Sequence, residues 1–410
     1  MASETVLVTD AGLGSAVAVI RSLGRAGFRV IAGSAESLSA GAVSRYAAES
    51  LRYPSPEEDS DAFVDHLAEA VNRRSIDLIL PVTDNTLLPL ARVRDRFEGK
   101  CVLGIASDAS LYAAIDKERT LQDAEALGIP VPRGALVRTI EEAHEAAAQL
   151  GWPVVLKPRS SRYSDNGRMS KLEVSYARDH QELERRMVSL GERCDVLVQA
   201  WCPGQGLGVE LLMHDGEVLA EFQHLREREF PVHGGPSALR RAVPVDPDLR
   251  RYSVDLLRSW GWSGLAMVEF KRSEHCVWLM EVNGRIWGSL PLAVHAGVDF
   301  PRRYVELLLE RSPRTVPSAY QIGVRSRDLG LDLTWMLAVL LGHPRRRYPY
   351  LQAPPRAAAL AAAAQLFYPG IRCDIQSLRD PLPGLVDLLA FIRKLAGKFS
   401  HSLGGGDSDR

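Results

Sequence analysis

Residues 266–285 read AMVEFKRSEHCVWLMEVNGR. A hairpin closed at Glu274-His275-Cys276 sets 273 opposite 277, 271 opposite 279 and Glu269 opposite Glu281. Directly opposed side chains have Cβ atoms about 4.5–5.5 Å apart, where like charges destabilise a sheet unless something neutralises them. A hard divalent cation does so. Asn283, two residues beyond Glu281 and on the same face, adds a carbonyl oxygen. Three oxygen ligands with positions left open for phosphate suit one or two magnesium ions, with manganese as a substitute, better than zinc. Arg285 continues the row and offers two donors to a phosphoryl or carboxylate oxygen. The alternative pairs Glu269 with Lys271 or an arginine on a solvated face. Against it stands the placing of Glu, Asn and Arg at alternate positions of an otherwise apolar strand, where unpaired charge is expensive.

Upstream, the apolar run Val154-Val155-Leu156 ends in Lys157, followed by Pro158 and a loop holding Ser160, Ser161, Ser164, Asn166 and Gly167. A buried strand that projects a lysine beside a hydroxyl-rich loop is placed to meet a triphosphate. Lys117, in Ile115-Asp116-Lys117-Glu118-Arg119, reads alone as a solvated helix lysine. The strand Val196-Leu197-Val198-Gln199 leaves into Ala200-Trp201-Cys202-Pro203-Gly204. Free backbone groups there can read an adenine edge while Trp201 packs on the ring; a plain strand exit with a core tryptophan is the competing reading. With strands at 208–213 and 218–223, this block is α+β.

The first hundred residues alternate differently. A strand at 5–10, a turn at Gly12 and Gly14 and a helix carrying Ile20, Leu23 and Ala26 are followed by strands at 28–32, 77–80 and 101–105 with helices between them. This predicts a parallel sheet covered on both faces. Ligands of such sheets sit at the carboxyl ends of the strands, here 10–14 and Val82-Thr83-Asp84-Asn85, which makes Asp84 a candidate substrate contact. A nicotinamide-dependent oxidoreductase on this sheet is a poor fit: Val17 stands where the third glycine of the fingerprint belongs, and the second strand ends Ala32-Gly33-Ser34 without an acidic residue.

Fifty basic and fifty-one acidic side chains among 410 residues leave a net charge of -1, so no global field recruits nucleic acid. The five cysteines form no CxxC pair, which excludes a zinc ribbon and argues for a reducing, cytoplasmic setting. No uncharged apolar run reaches the roughly 18 residues of a spanning helix.

Taken in order, Asp116-Lys117 before Gly128-Ile129-Pro130, Val154 to Pro158, Val198-Gln199-Ala200-Trp201 with Gly204, Glu269 and Glu281-Val282-Asn283-Gly284-Arg285 resemble the ATP-grasp superfamily, which includes D-alanine-D-alanine ligase, biotin carboxylase and carbamoyl phosphate synthetase. The resemblance covers residues 1 to about 310. It implies a pre-ATP-grasp domain at 1–113, an ATP-grasp α+β domain at 114–312, a helical C-terminal extension at 313–403 and a disordered tail at 404–410. It implies that Lys117 and Lys157 contact phosphates, that Gln199, Ala200, Trp201 and Cys202 hold adenine, that Glu269, Glu281 and Asn283 bind Mg2+, and that Arg285 stabilises the transferred phosphoryl group. Gln199 stands where an acidic residue is common, and Gly206 where relatives carry a ribose-binding glutamate, a role that passes to Glu210.

The activity implied is a carboxylate-amine ligase: a carboxylate attacks the γ-phosphate of ATP, and an amine displaces phosphate from the acyl phosphate. The loop 159–171 and the stretches 224–229 and 233–237 are candidate lids, with Arg226, Arg228 or Ser237 holding the carboxylate substrate. A biotin-carboxylase type of reaction and a catalytically silent nucleotide-binding protein are the competing functions. The C-terminal hundred residues, with Arg345-Arg346-Arg347, read as a packed extension or a homodimer contact.

Overall fold

The computed structural model describes residues 4–160, 162–165, 168–191, 193–310, 319–343 and 351–404, without the side chains of 161–171 and 397–404. The first strands are β1 (Thr5–Val8), β2 (Arg29–Ser34), β3 (Glu49–Arg52), β4 (Leu78–Leu80) and β5 (Val102–Leu103), in the order β3-β2-β1-β4-β5, all parallel. β1 is apolar throughout and central. β3 escaped the sequence reading because it is an edge strand on which only Leu51 is buried. The helices α1 (Gly14–Arg25), α2 (Ser60–Arg74) and α3 (Asp84–Arg92) connect these strands, and α4 (Asp108–Ile115) and α5 (Lys117–Ala126) lead out of the sheet.

Two sheets follow. The strands β6 (Gly134–Val137), β7 (Val154–Pro158), β10 (Ser175–Ala177) and β11 (Val196–Ala200) form an antiparallel sheet ordered β10-β7-β11-β6, covered by α6 (Ile140–Leu150) and α7 (His180–Gly191). The loop expected to act as a lid holds a separate hairpin, β8 (Arg162–Asp165) with β9 (Arg168–Lys171). The third sheet takes β12 (Gln205–His214), β13 (Glu217–Glu229), β14 (Ser237–Ala242), β15 (Gly264–Arg272) and β16 (Val277–Asn283), and ends in β17 (Arg325–Arg327) and β18 (Ile371–Cys373). Its order is β16-β15-β12-β13-β14-β17-β18.

Both faces of this sheet are covered. One packs Leu207, Val209 and Leu211 of β12 with Val268 and Phe270 against α8 (Pro247–Ser259) and α5. The other packs Leu212, Phe222 and Met267 against α9 (Leu290–Ala296), α10 (Phe300–Leu308) and Val19, Ile20 and Leu23 of α1, which joins the first domain to the sheet.

The segment read as a helical extension contains α11 (Leu329–Leu340), α12 (Arg356–Ala364) and α13 (Pro381–Gly404), but it also supplies β17 and β18. Strands of three residues with an arginine in each carry no readable period. Buried ion pairs fasten the segment: Arg240 with Asp374, Arg21 with Asp380 at 2.9 Å, and Arg228 with Asp332 at 2.6 Å. The expected boundary at 312, the tail 405–410 and Arg345 to Arg347 lie outside the described residues. Among the described residues no helix is long and apolar enough to cross a membrane.

Candidate active site

The four-stranded and seven-stranded sheets face each other across a cleft. Register decides what enters it. Lys157 pairs with Leu197 and Val155 with Gln199 and Tyr176, so these five side chains share one face of the smaller sheet. On the larger sheet Glu269 stands opposite Glu281, as the hairpin reading expects, and opposite Gly208 on its other side. The route to that register differs: Lys271 pairs with Trp278 rather than Leu279, and an irregularity between Glu269 and Phe270 restores the expected pairing.

Asn283 Nδ2 donates to Glu269 Oε1 at 3.1 Å and to Glu281 Oε1 at 3.3 Å. Arg226 meets Glu269 Oε1 at 2.5 Å and Glu229 at 3.4 Å. An amide nitrogen thus sits where the two carboxylates converge. Its half-turn would put the carbonyl oxygen there instead, giving three oxygens around one point, a donor set that fits a hard cation. Among the described residues no group of three His, Cys, Asp or Glu could hold a metal, which leaves this two-carboxylate arrangement as the candidate.

The cations complete the charge balance. Lys117 opens α5 and is 8% exposed; its amide donates to Arg159 O at 3.1 Å, while Arg159 is forked on Asp116 at 2.8–3.1 Å. Lys157 is also 8% exposed. Burial pushes its ammonium down to about 8, with Glu281 resisting and Lys117 and Lys271 adding to the fall. Burial pushes Glu281 upward, but Lys117, Lys157, the Asn283 amide and Arg226 together hold it below the usual carboxylate range. Glu269 goes the other way, raised by burial and by Glu281 against the pull of Arg226.

Lys271 escaped the sequence reading as a site residue, although its place two positions after Glu269 on the same strand is the signal that finds it. Its Nζ donates to Cys202 O, in the turn after β11, at 3.4 Å. The turn after β13 reaches across the cleft mouth, where Tyr176 Oη donates to His233 O at 2.6 Å. Arg285 Nε is held by Asp84 at 2.9 Å, and Asp84, Leu88, Leu111, Lys117, Glu281 and Asn283 line one pocket of about 50 Å3.

Three expected residues stand elsewhere. Glu210 has no exposed surface and contacts His224 Nδ1 at 2.5 Å inside the sheet junction; burial raises its carboxyl and lowers the imidazole, so it has no access to a ribose. Arg228 is engaged by Asp332 at 2.6 and 2.9 Å, by Gln365 at 2.8 Å and by the Trp335 ring. Ser237 is buried at the start of β14 and donates to Leu239 O at 3.3 Å. Arg228 thus belongs to the fastening of the C-terminal segment, and Ser237 bonds within its own strand. The stretch 224–229 lies within a strand rather than a lid. The dinucleotide reading gains no support either: a Cβ on Gly14 would touch Asp374 and Ile375, so the chain itself closes the mouth of that glycine turn.

A parallel-sheet domain, an antiparallel four-stranded sheet and a mainly antiparallel seven-stranded sheet, with lysines and carboxylates facing across a cleft, follow one another in the order that the ATP-grasp resemblance implies. The stretch from β11 to β17 is similar to ATP-grasp domains. Residues 192–329 match the family described as ATP-grasp in the biosynthetic pathway with Ter operon. The large chain of carbamoyl phosphate synthase from Thermomicrobium roseum is 33% identical over 226 residues, 52% of this chain and 20% of that one. The chain therefore spans about a fifth of the length of that relative.

The biotin carboxylase domain dimer of Hydrogenobacter thermophilus 2-oxoglutarate carboxylase, solved with MgADP and bicarbonate, superposes with a TM-score of 0.60 at 19% identity, covering 78% of this chain and 73% of that one. An L-amino acid ligase from Bacillus licheniformis does so with a TM-score of 0.56 at 14% identity, covering 77% and 78%. At such identities the likeness is one of fold.

Proposed function

We propose that the protein is an ATP-dependent ligase that activates a carboxylate as an acyl phosphate and joins it to an amine, with release of ADP and phosphate. The observation that carries the reading is the convergence of Lys117, Lys157 and Lys271 with Glu269, Glu281 and Asn283 in one cleft, where each set neutralises the other. Glu269, Glu281 and Asn283 would hold Mg2+, which when bound draws negative charge from the phosphate oxygens. Lys117 and Lys157 donate to the same oxygens, and burial strengthens both contacts. The turn from Gln199 to Cys202 holds the base. Arg285, oriented by Asp84, and Arg226 bring the substrate carboxylate to the γ-phosphate. The bond from γ-phosphorus to the bridging oxygen breaks as the bond to the carboxylate oxygen forms, and the amine then displaces phosphate with loss of a proton. The contact between Tyr176 and His233 narrows the mouth through which water would reach the acyl phosphate.

One solved neighbour is a carboxylase domain in complex with bicarbonate and another an L-amino acid ligase, and the pocket between Asp84 and Lys117, with Leu88 and Leu111 as its apolar wall, favours the amino-acid type of substrate. A homodimer belongs to the same proposal, in keeping with the dimer of the carboxylase domain. The test is ADP release over a panel of carboxylates and amines, with mass detection of the product. Turnover is expected to need both substrates and Mg2+, and to fall by about 10²-fold or more in Glu281→Gln. Unchanged turnover in that variant would sink the metal assignment, and ADP release indifferent to the amine would sink the ligase reading.

A further inference from the structure

At the end of the cleft away from the carboxylates, one polar atom has nothing to bond. Gln199 is 1% exposed, and its Oε1 is buried without a hydrogen-bond partner. An unpaired buried oxygen of this kind costs about 1–3 kcal/mol, a cost that a ligand donor removes. Its surroundings offer apolar and aromatic side chains. Val155, which pairs with Gln199 across the sheet, forms a buried apolar cluster with Tyr176 and Leu351, and Trp201 packs against it. On the other flank Gln199 faces Gly134, where a Cβ would stand 2.9 Å from the glutamine Cγ, so a bare backbone leaves the amide room to turn. Because Gln199 shares its face with Lys157, a ring held here points its attached phosphates toward the lysines.

The chemistry of the amide sets what it selects. A carboxylate at this position could only accept, taking a 6-amino group and repelling a 6-oxo group. An amide presents a carbonyl to the first or, after a half-turn, an NH2 to the second. The ammonium of Lys271, bonded to Cys202 O in the turn that follows, is a second donor for an oxo group. We propose that Gln199 is a specificity-determining residue that lets the site take both adenine and guanine nucleoside triphosphates. The inference rests on the nucleotide reading of the cleft given above.

Calorimetric titration of MgATP and MgGTP into the wild-type chain, Gln199→Glu and Gln199→Met, without co-substrates, separates the two. In the wild type the two dissociation constants are expected within about tenfold of each other. Gln199→Glu should weaken GTP by about 10²-fold while moving ATP by less than about fivefold, since it exchanges a donor for a repelling charge at one base only. Gln199→Met, of similar length, should weaken both. The proposal is overturned if the wild type rejects GTP by more than about 10²-fold, or if Gln199→Glu leaves the ratio unmoved. Binding of ATP with either of these results leaves the ligase reading standing, whereas failure of the folded wild type to bind any nucleotide removes both.

Discussion

Lys157 gives the cleft a pH signature. Burial takes its ammonium from an ordinary 10.5 down to about 8 in the free protein, with Lys117 and Lys271 assisting and Glu281 opposing. That fall corresponds to about 3 kcal/mol favouring the neutral amine. Between pH 8 and 10.5 the unfolded chain therefore holds a proton that the folded chain has released, so this residue makes stability rise with pH across the window. Its cost is fully present below pH 8. Binding runs the opposite way, because a triphosphate needs the ammonium: above pH 8 the complex must take up a proton, and affinity should fall by up to about tenfold per pH unit. Lys157→Met keeps the stem and removes the charge. It should forfeit a charge-assisted hydrogen bond worth about 1.5–3 kcal/mol, or roughly 10–150-fold in Kd at pH 7.5, and flatten the pH profile. It should also make the free protein more resistant to urea at pH 7, by less than the full linkage term because Glu281 loses a partner. Titration of MgATP from pH 7.5 to 9.5, in two buffers of different ionisation heat to count the protons taken up, measures both effects. A flat wild-type profile, or a slope that survives in Lys157→Met, refutes the reasoning.

Other residues separate the cleft from its scaffold. Arg226→Met leaves Glu269 buried without its cation and should cost about 3–5 kcal/mol in urea unfolding, with part of the loss recovered by millimolar Mg2+; no recovery would count against a cation between the carboxylates. Arg228→Ala takes from Asp332, which has no exposed surface, its forked partner and leaves Arg327 at 3.2 Å as the remaining cation, so it should cost about 1–3 kcal/mol while leaving the Kd for MgATP within about twofold. A weaker Kd without loss of stability would put Arg228 back in the cleft.

Much of this site was legible because charge in apolar strands is costly and therefore informative. Glu269, Glu281 and Asn283 could be read as one cluster from spacing two, and the pairing of the glutamates survives a bulge that the sequence hides. Lys157 was legible for the same reason. Glu210 shows the limit: a glutamate in a strand reads as a ligand, yet its face is fixed by a sheet whose two sides are both covered, one of them by the first domain. Arg228 failed similarly, because its partners Asp332 and Gln365 lie 104 and 137 residues further on, and Ser237 failed because its hydroxyl turns to Leu239 O on its own strand. The strand β17 is held by its pairing with β14, and β18 by its pairing with β17, so three residues apiece left no periodic trace.

The first domain reaches the chemistry through Asp10, which links the end of β1 to Arg285. Asp10 takes a left-handed backbone with φ 53, unusual outside glycine but tolerated by Asp and Asn. Its Oδ2 accepts from Thr83 N at 3.1 Å, Thr83 Oγ1 at 3.0 Å, Thr86 Oγ1 at 2.7 Å and Thr9 Oγ1 at 2.9 Å. The next residue, Asp84, holds Arg285 Nε at 2.9 Å. Tyr53 Oη accepts from Asp10 N at 2.9 Å, and burial followed by the Asp10 charge keeps its phenol neutral. Asp10→Asn fits the same backbone but replaces charge-assisted bonds by neutral ones, a loss of about 1–2 kcal/mol in the anchoring of the loop. Because the loop orients Arg285, the expected effect is a fall of about tenfold in kcat for ADP release with the Kd for MgATP unchanged. If the variant instead weakens MgATP and leaves kcat intact, the first domain serves the nucleotide and not the phosphoryl acceptor, and the chain of contacts from Asp10 to Arg285 is only structural.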